Sequence, residues 1–264
     1  MKWIQKSLKA HPGYTTLPAW TAALIVACLI SASRGRAADI PATKQPVLVE
    51  LFTSEGCSSC PPADALLQSL DREQPVPGVR VIVLSEHVDY WNYEGWRDPF
   101  SSAEVTARQE AYVSSLSQES AYTPEAVIDG AHGLTGSDRR GLISAIEQAA
   151  QRPKTEIQVG NATLNGRAVA ADVSVPAIPH ADLYVVLADD QDESSVARGE
   201  NSGRHLTHVA VARVIVKVGS LNEGFNRPVH VVLPAHSQVQ KMRLVVFAQE
   251  RGTGHILGVA QASL

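Results

Sequence analysis

The feature that most restricts how this chain folds is a cysteine pair set between an apolar run and a proline-marked helix start. Val47-Leu48-Val49-Glu50-Leu51-Phe52 is a near-continuous apolar stretch of the kind that forms a strand buried on both faces. Thr53 to Ser59 reads as a turn, and Cys57-Ser58-Ser59-Cys60 runs directly into Pro61-Pro62. Proline is tolerated in the first turn of a helix and not in its interior, so the helix begins there. Leu66, Leu67 and Leu70 fall at helical spacing from Ala63 to Leu70, and Pro75 and Pro77-Gly78 end the segment. Val79 to Leu84 is a second buried strand. Strand, helix, strand is a βαβ unit, with the CxxC at the helix N-terminus.

That placement suits sulfur chemistry. The start of a helix carries partial positive charge and free N–H groups, which stabilise a thiolate, and the thiolate is the nucleophile of disulfide exchange. Cys57 would attack and Cys60, inside the helix, would resolve the mixed disulfide. A CxxC beside a βαβ pattern points to thiol–disulfide redox chemistry with no cofactor beyond the redox-active disulfide. Its partners would be protein or small-molecule thiols. Two other readings of the same residues stay open. The pair is a permanent structural disulfide in a non-catalytic binding domain, or it joins His87, with Asp89 nearby, in a copper-binding or metallochaperone site. His87 serves either as that ligand or as a hydrogen-bonding group within its own loop.

Residues 85–100 form a loop that holds five of the chain's fourteen Phe, Trp and Tyr residues. A helix is expected from Ser102 to about Leu116, a short strand over Glu125–Asp129, a turn over Gly130–Gly136, and a second amphipathic helix over Asp138–Ala149, capped by Ser137 or Asp138. Thr123-Pro124, after a helix and before a short strand, resembles the place where thioredoxin-like folds set a cis-proline facing the CxxC, and Pro124 would then position a substrate. The alternative is an ordinary trans turn proline. Glu50 is the only charge in its strand. It either shuttles a proton to and from Cys60 or pairs with a backbone or arginine partner.

After Arg152-Pro153 the texture changes to alternating strands and turn signals: 155–159, 168–175, 183–188, 209–218, 230–233, 242–249 and 256–260. This half reads as an antiparallel sheet or sandwich packed on the first. The segment from Arg198 to His208 gathers charge, amide and imidazole between glycines. It reads as a polar hairpin bonded to the first half or as a recognition surface against Cys57. His205 and His208, three apart in a loop-to-strand segment, are weak evidence for a metal.

The N-terminus has the layout of an export signal. Lys2, Lys6 and Lys9 precede an apolar run from Leu17 to Ile30, and small residues lead to Ala37-Ala38. A single-pass anchor is the alternative, and Ile25-Val26-Ala27-Cys28 also resembles a lipoprotein box in which Cys28 would be lipidated. Removing residues 1–37 leaves 18 Lys and Arg against 27 Asp and Glu, a formal net charge of −9. So acidic a chain, without a basic cluster, is poorly suited to nucleic acid or anionic lipid, and stable membrane insertion is not expected once the signal is cleaved. Beyond the leader only Cys57 and Cys60 remain, so no disulfide framework exists elsewhere.

Several of these stretches resemble a known family. Residues 49–64, His87-Val88-Asp89-Tyr90-Trp91, Gly95 to Phe100, Tyr122 to Gly130 and Arg198 to His208 look like the bacterial family catalogued as domain of unknown function 1223. The resemblance implies a thioredoxin-like fold and a periplasmic or secreted setting, and supplies no known reaction. Against thioredoxin itself, Gly56 replaces the tryptophan usual before the first cysteine, and Glu55 adds a negative charge. The expected architecture is α/β: a signal peptide over 1–37, a thioredoxin-like domain over 46–150 and a β-rich domain over 154–264.

Overall fold

The computed structural model describes residues 44–235 and 241–264; the export signal, the anchor alternative and the Cys28 lipidation site all lie outside the described residues. Residues Thr43–Leu264 form one compact unit. The fold is mixed α/β and mostly β, with a large sheet and few helices. Strand β1 (Gln45–Thr53) runs into the cysteine turn, and helix α1 (Pro61–Glu73) follows. Strand β2 (Val79–His87) pairs with β1 in parallel along its whole length. The expected βαβ unit is therefore present with both strands buried.

Helix α2 (Ala103–Ser115) starts at Ser102, whose side chain accepts from the Val105 N–H, as an N-cap serine does. Strand β3 (Glu125–Ile128) pairs antiparallel with β1, and the Thr123–Pro124 peptide bond before it is cis. Residues expected to turn after it instead include a further strand, β4 (His132–Thr135), paired with β3. Its glycine and short length hide the period-2 signal in sequence. Helix α3 (Arg139–Ala149) is capped by Asp138, which accepts from the Gly141 N–H.

The second half is all strand among the described residues. It comprises β5 (Gln158–Asn165), β6 (Ala168–Val175), β7 (Ala181–Ser195), β8 (His205–Ser220), β9 (Phe225–Val232), β10 (Met242–Glu250) and β11 (Ile256–Ser263). The strand expected over 155–159 begins three residues later and runs further. These strands divide between two sheets. One eight-stranded sheet has the order β11-β10-β7-β8-β2-β1-β3-β4, and β5-β6-β9 make a separate three-stranded sheet. The large sheet thus runs across the boundary expected near Arg152. β8 joins β2 in parallel at Ser85 and Val211.

Period-2 alternation explains how one sheet serves two cores. Leu183, Val185 and Leu187 of β7 and Leu244 and Val246 of β10 pack toward Val169, Val173, Val229 and Val231 of the small sheet, which makes a sandwich. Val186 and Ala188 of β7 and Val245 and Phe247 of β10 belong instead to the core shared with the first half. Within β1 the faces also separate. Val49 and Leu51 belong to the core of α1 and α3, whereas Phe52 packs with Val105 and Tyr112 of α2.

Candidate functional site

Cys57 and Cys60 form a disulfide with their Cα atoms 5.4 Å apart, and neither residue has exposed surface. Cys60 is the N-cap of α1 with helical backbone angles, and its carbonyl accepts from the N–H groups of Ala63 and Asp64. The cysteines therefore sit where the helix terminus would favour a Cys57 thiolate once the bond is reduced. Ser58 and Ser59, between them, remain on the surface.

What buries the pair comes from far along the chain. The nine residues from Val196 to Arg204 connect β7 to β8 and fold over the cysteine turn. The buried side-chain amide of Asn201 donates to the carbonyls of Glu55 and Cys57, each at 2.9 Å. The Glu200 carboxylate accepts from the Ser58 N–H at 3.0 Å, and the Ser58 hydroxyl, with that N–H, holds its carboxyl below the usual range. Glu200 thereby occupies the Ser58 amide, next in the chain to Cys57. Gly199 is positioned here by φ +75 and by close approach: a Cβ would lie 3.2 Å from the Glu94 carbonyl oxygen and from Trp96 Cβ.

The aromatic loop supplies the second wall. Trp91 lies against Gly56, where an added Cβ would come within 3.0 Å of Trp91 Cβ. Position 56 suits glycine because Trp91 Cβ and the Trp91 carbonyl oxygen take the adjacent space. The Trp91 Nε1–H donates to Thr123 Oγ1 at 2.8 Å, tying this wall to the cis-proline turn. A Cβ added at Gly136 would meet Leu51, Ala63 and Pro124 together, which places Pro124 on the α1 face of β1 near the first turn of α1.

Beneath the cysteine turn lies a buried polar network. The Glu55 N–H donates to Asp98 Oδ2 at 2.8 Å, and Asp98 Oδ2 lies 2.7 Å from His87 Nδ1. His87 Nε2 meets Ser85 Oγ at 3.2 Å. The Glu55 carboxylate accepts from Trp96 Nε1 at 2.8 Å and from the Ser194 hydroxyl, and sits 3.2 Å from His208 Nε2. His208 Nδ1 points toward Asp64 Oδ2 at 3.9 Å, and Thr53 Oγ1 donates to Asp64 Oδ1 at 2.9 Å. The two imidazoles meet edge to face at 4.6 Å between ring centres. Burial pushes the Asp64 carboxyl above its ordinary value, against the opposing pull of His208 and His87. Burial alone would lower His87, but the Asp98 carboxylate beside it, with Asp64 and Glu55, holds it above its ordinary value. Asp98 is correspondingly held low: its burial is outweighed by His87 and by the N–H groups of Glu55 and Phe100.

Several expectations change against this geometry. His87 is buried in hydrogen bonds through both ring nitrogens, so it serves its own loop and strand rather than a Cys57–Cys60–His87 copper site. Among the described residues no group of three or more His, Cys, Asp or Glu is disposed to hold a metal ion. His205 and His208 separate because residues three apart on a strand face opposite sides: His205 is exposed beside Glu193 and His208 is buried beside Glu55.

Glu50 takes the paired form. Its carboxylate accepts from Arg108 Nε at 2.6 Å and from the Tyr112 hydroxyl at 2.7 Å, both on α2. That is the face of β1 opposite α1, so Glu50 does not reach Cys60. Glu86 is buried beside this cluster, and burial together with Glu50 pushes its carboxyl well above the usual range. The residues that meet the cysteine turn or the network beneath it, namely Asp64, Glu200, Asn201 and His208, share one sequence signal. Asp64 stands four places after Cys60, and the rest fall within the glycine-punctuated Arg198–His208 segment.

Fold and site together define a mixed α/β protein with a CxxC disulfide at the start of a helix, sealed by a loop from a distant hairpin. The chain belongs to the family described as protein of unknown function DUF1223, which it matches over residues 48–249. A protein from Agrobacterium tumefaciens solved by X-ray crystallography is similar at 28% identity with a TM-score of 0.58, over 81% of this chain and 92% of that one. A DUF3823-family protein from Bacteroides ovatus overlaps 41% of this chain and 53% of that chain, at 12% identity and a TM-score of 0.26. None of the curated proteins matches this chain.

Proposed function

We propose that this chain is a thioredoxin-like thiol–disulfide oxidoreductase acting in the periplasm or outside the cell on protein or small-molecule thiols. The observation that carries the reading is the Cys57–Cys60 disulfide at the N-terminus of α1, directly after β1 of a parallel βαβ unit. Support comes from the cis Thr123–Pro124 bond on the same face of the sheet, where Pro124 would hold a substrate chain. Among the described residues no helix is long and apolar enough to cross a membrane. Cys57 is the nucleophile toward a substrate disulfide and Cys60 resolves the product.

Full burial of both cysteines adds a condition: exchange requires the 196–204 loop to lift from the cysteine turn. The same burial favours a second reading, a permanent disulfide that braces the turn. A redox titration of the protein against glutathione or dithiothreitol separates the two. A midpoint between about −120 and −270 mV supports exchange, and one below about −300 mV supports the brace. Loss of disulfide exchange in Cys57→Ser is also required, and retained exchange would overturn the assignment of the nucleophile.

A further inference from the structure

We propose that Asp64 is the proton carrier for Cys60, donating to its thiolate as the disulfide opens and accepting from its thiol as it closes. This rests on the exchange reading above and names a group in that site that the reaction needs. An oxidoreductase of this type must move one proton on and off its interior sulfur, and the exposed side of the turn offers water only to Ser58 and Ser59. Glu50 is excluded by its position on the α2 face.

Asp64 has the required geometry. Cys60 is helical in its backbone angles, so Asp64 lies one turn along α1 on the same face. Side chains on a helix lean toward its N-terminus, which carries the Asp64 carboxyl back over the turn that holds Cys60. The carboxyl is anchored in that direction. Its Oδ1 accepts from Thr53 Oγ1, at the end of β1 where the cysteine turn begins. Asp64 is only 5% exposed, so it has little access to bulk water.

The groups facing Asp64 are unusually polar for a buried site. His208 reaches it from β8, His87 from β2, Asp98 from the loop before α2 and Thr53 from β1. His208 Nδ1, buried 3.9 Å from Asp64 Oδ2, makes no hydrogen bond of its own. It is thus placed to balance the carboxylate when Asp64 gives up its proton. Burial raises the Asp64 carboxyl, which suits a group that must both hold and release a proton.

The chemistry balances with a dithiol as reductant. One thiolate of the dithiol attacks Cys57 Sγ, the Cys57–Cys60 bond breaks, and Cys60 leaves as a thiolate that takes the Asp64 proton. The second thiol of the reductant then attacks the mixed disulfide, releasing Cys57 and closing the reductant's own disulfide. Two electrons pass from the dithiol to the protein. In the oxidising direction Asp64 accepts the Cys60 proton as Cys60 attacks the mixed disulfide on Cys57.

The test follows reduction of the protein by dithiothreitol in stopped flow from pH 5 to 9, for the unaltered chain, Asp64→Asn and Asp64→Glu. Asp64→Asn is expected to slow reduction by about 100-fold and to lose the alkaline limb of the pH–rate profile, where the unaltered chain slows as Asp64 gives up its proton. Asp64→Glu is expected to restore most of the rate with the limb displaced along the pH axis. Reduction of Asp64→Asn at the unaltered rate and with the unaltered profile overturns the proposal while leaving the exchange reading intact. If Asp64→Asn does not fold, judged by circular dichroism, Asp64→Glu decides alone, and an undisplaced limb overturns the proposal. An unaltered chain that resists dithiols at every pH overturns the exchange reading and this inference together.

Discussion

The side-chain amide of Asn201 donates to the main-chain carbonyl of Cys57 at 2.9 Å, across a separation of 144 residues. With its second bond, to the Glu55 carbonyl, it holds the cysteine turn shut from outside. The cysteine turn is therefore closed by a hairpin loop that belongs to a different stretch of the chain.

Asn201→Ala should loosen that closure. The two lost hydrogen bonds contribute about 0.5–1.5 kcal/mol each, so the open fraction rises by about 5-fold or more. Reduction by dithiothreitol is expected to accelerate by a similar factor while the far-ultraviolet circular dichroism stays unchanged. A variant reduced at the unaltered rate would show that the loop does not limit access.

Glu200→Gln should make Cys57 more acidic in the reduced protein. The side chain at 200 loses its negative charge, so it competes less for the Ser58 amide and repels a Cys57 thiolate less. Alkylation by iodoacetamide as a function of pH reads this directly. The expected midpoint lies lower in the variant than in the unaltered chain, and an unchanged midpoint refutes the competition.

The Arg108–Glu50 pair should matter for stability and not for exchange. Arg108→Leu leaves the buried Glu50 carboxylate without its cation, at a cost of about 3–5 kcal/mol in urea unfolding. Glu50→Gln keeps a hydrogen-bonding group beside Tyr112 and should leave the dithiol reduction rate within about twofold, since a neutral isostere on the far sheet face touches no reacting atom. A large loss of rate in Glu50→Gln would restore it to the redox chemistry.

The His87–Asp98 pair predicts a pH window. Asp98 titrates lower in the folded protein than its ordinary 3.8, so its contribution is present above that value and lost as pH falls through the folded one. His87 titrates higher than its ordinary 6.5, so its contribution is complete below that value and lost as pH rises through the folded one. The pair stabilises most between about pH 4 and 6.5. Asp98→Ala should therefore cost more at pH 5.5 than at pH 9, in urea melts at both. Equal losses would place the role of Asp98 in its bonds to the Glu55 and Phe100 amides alone.

Much of the frame was legible because it is written in local patterns. The apolar runs at 47–52 and 79–84, Pro61-Pro62 after Cys60, the helix start at Ser102 and a cap at Ser137 or Asp138 each depend on neighbours within one helical turn or one strand, so residue spacing alone discloses them. The strand β4 was not legible, since four residues containing a glycine carry too little alternation. Nor was the division of the second half between two sheets. Every strand there alternates, and alternation specifies that a face is buried without specifying against what.

The site divides along the same line. Sequence by itself determined which sulfur pair exists, that it opens a helix, and that a proline before a short strand accompanies it. Tertiary structure decided which charged groups serve that pair. Whether Glu50 turns toward α1 or α2 follows from strand parity and from which helix covers each face, and that parity sends it to Arg108, while Asp64 on α1 meets Thr53 and His208. The pairing of His208 with Glu55, and of Asn201 with the Cys57 carbonyl, joins residues about 150 positions apart. Such contacts arise from how sheets and loops stack in space, which no local spacing encodes.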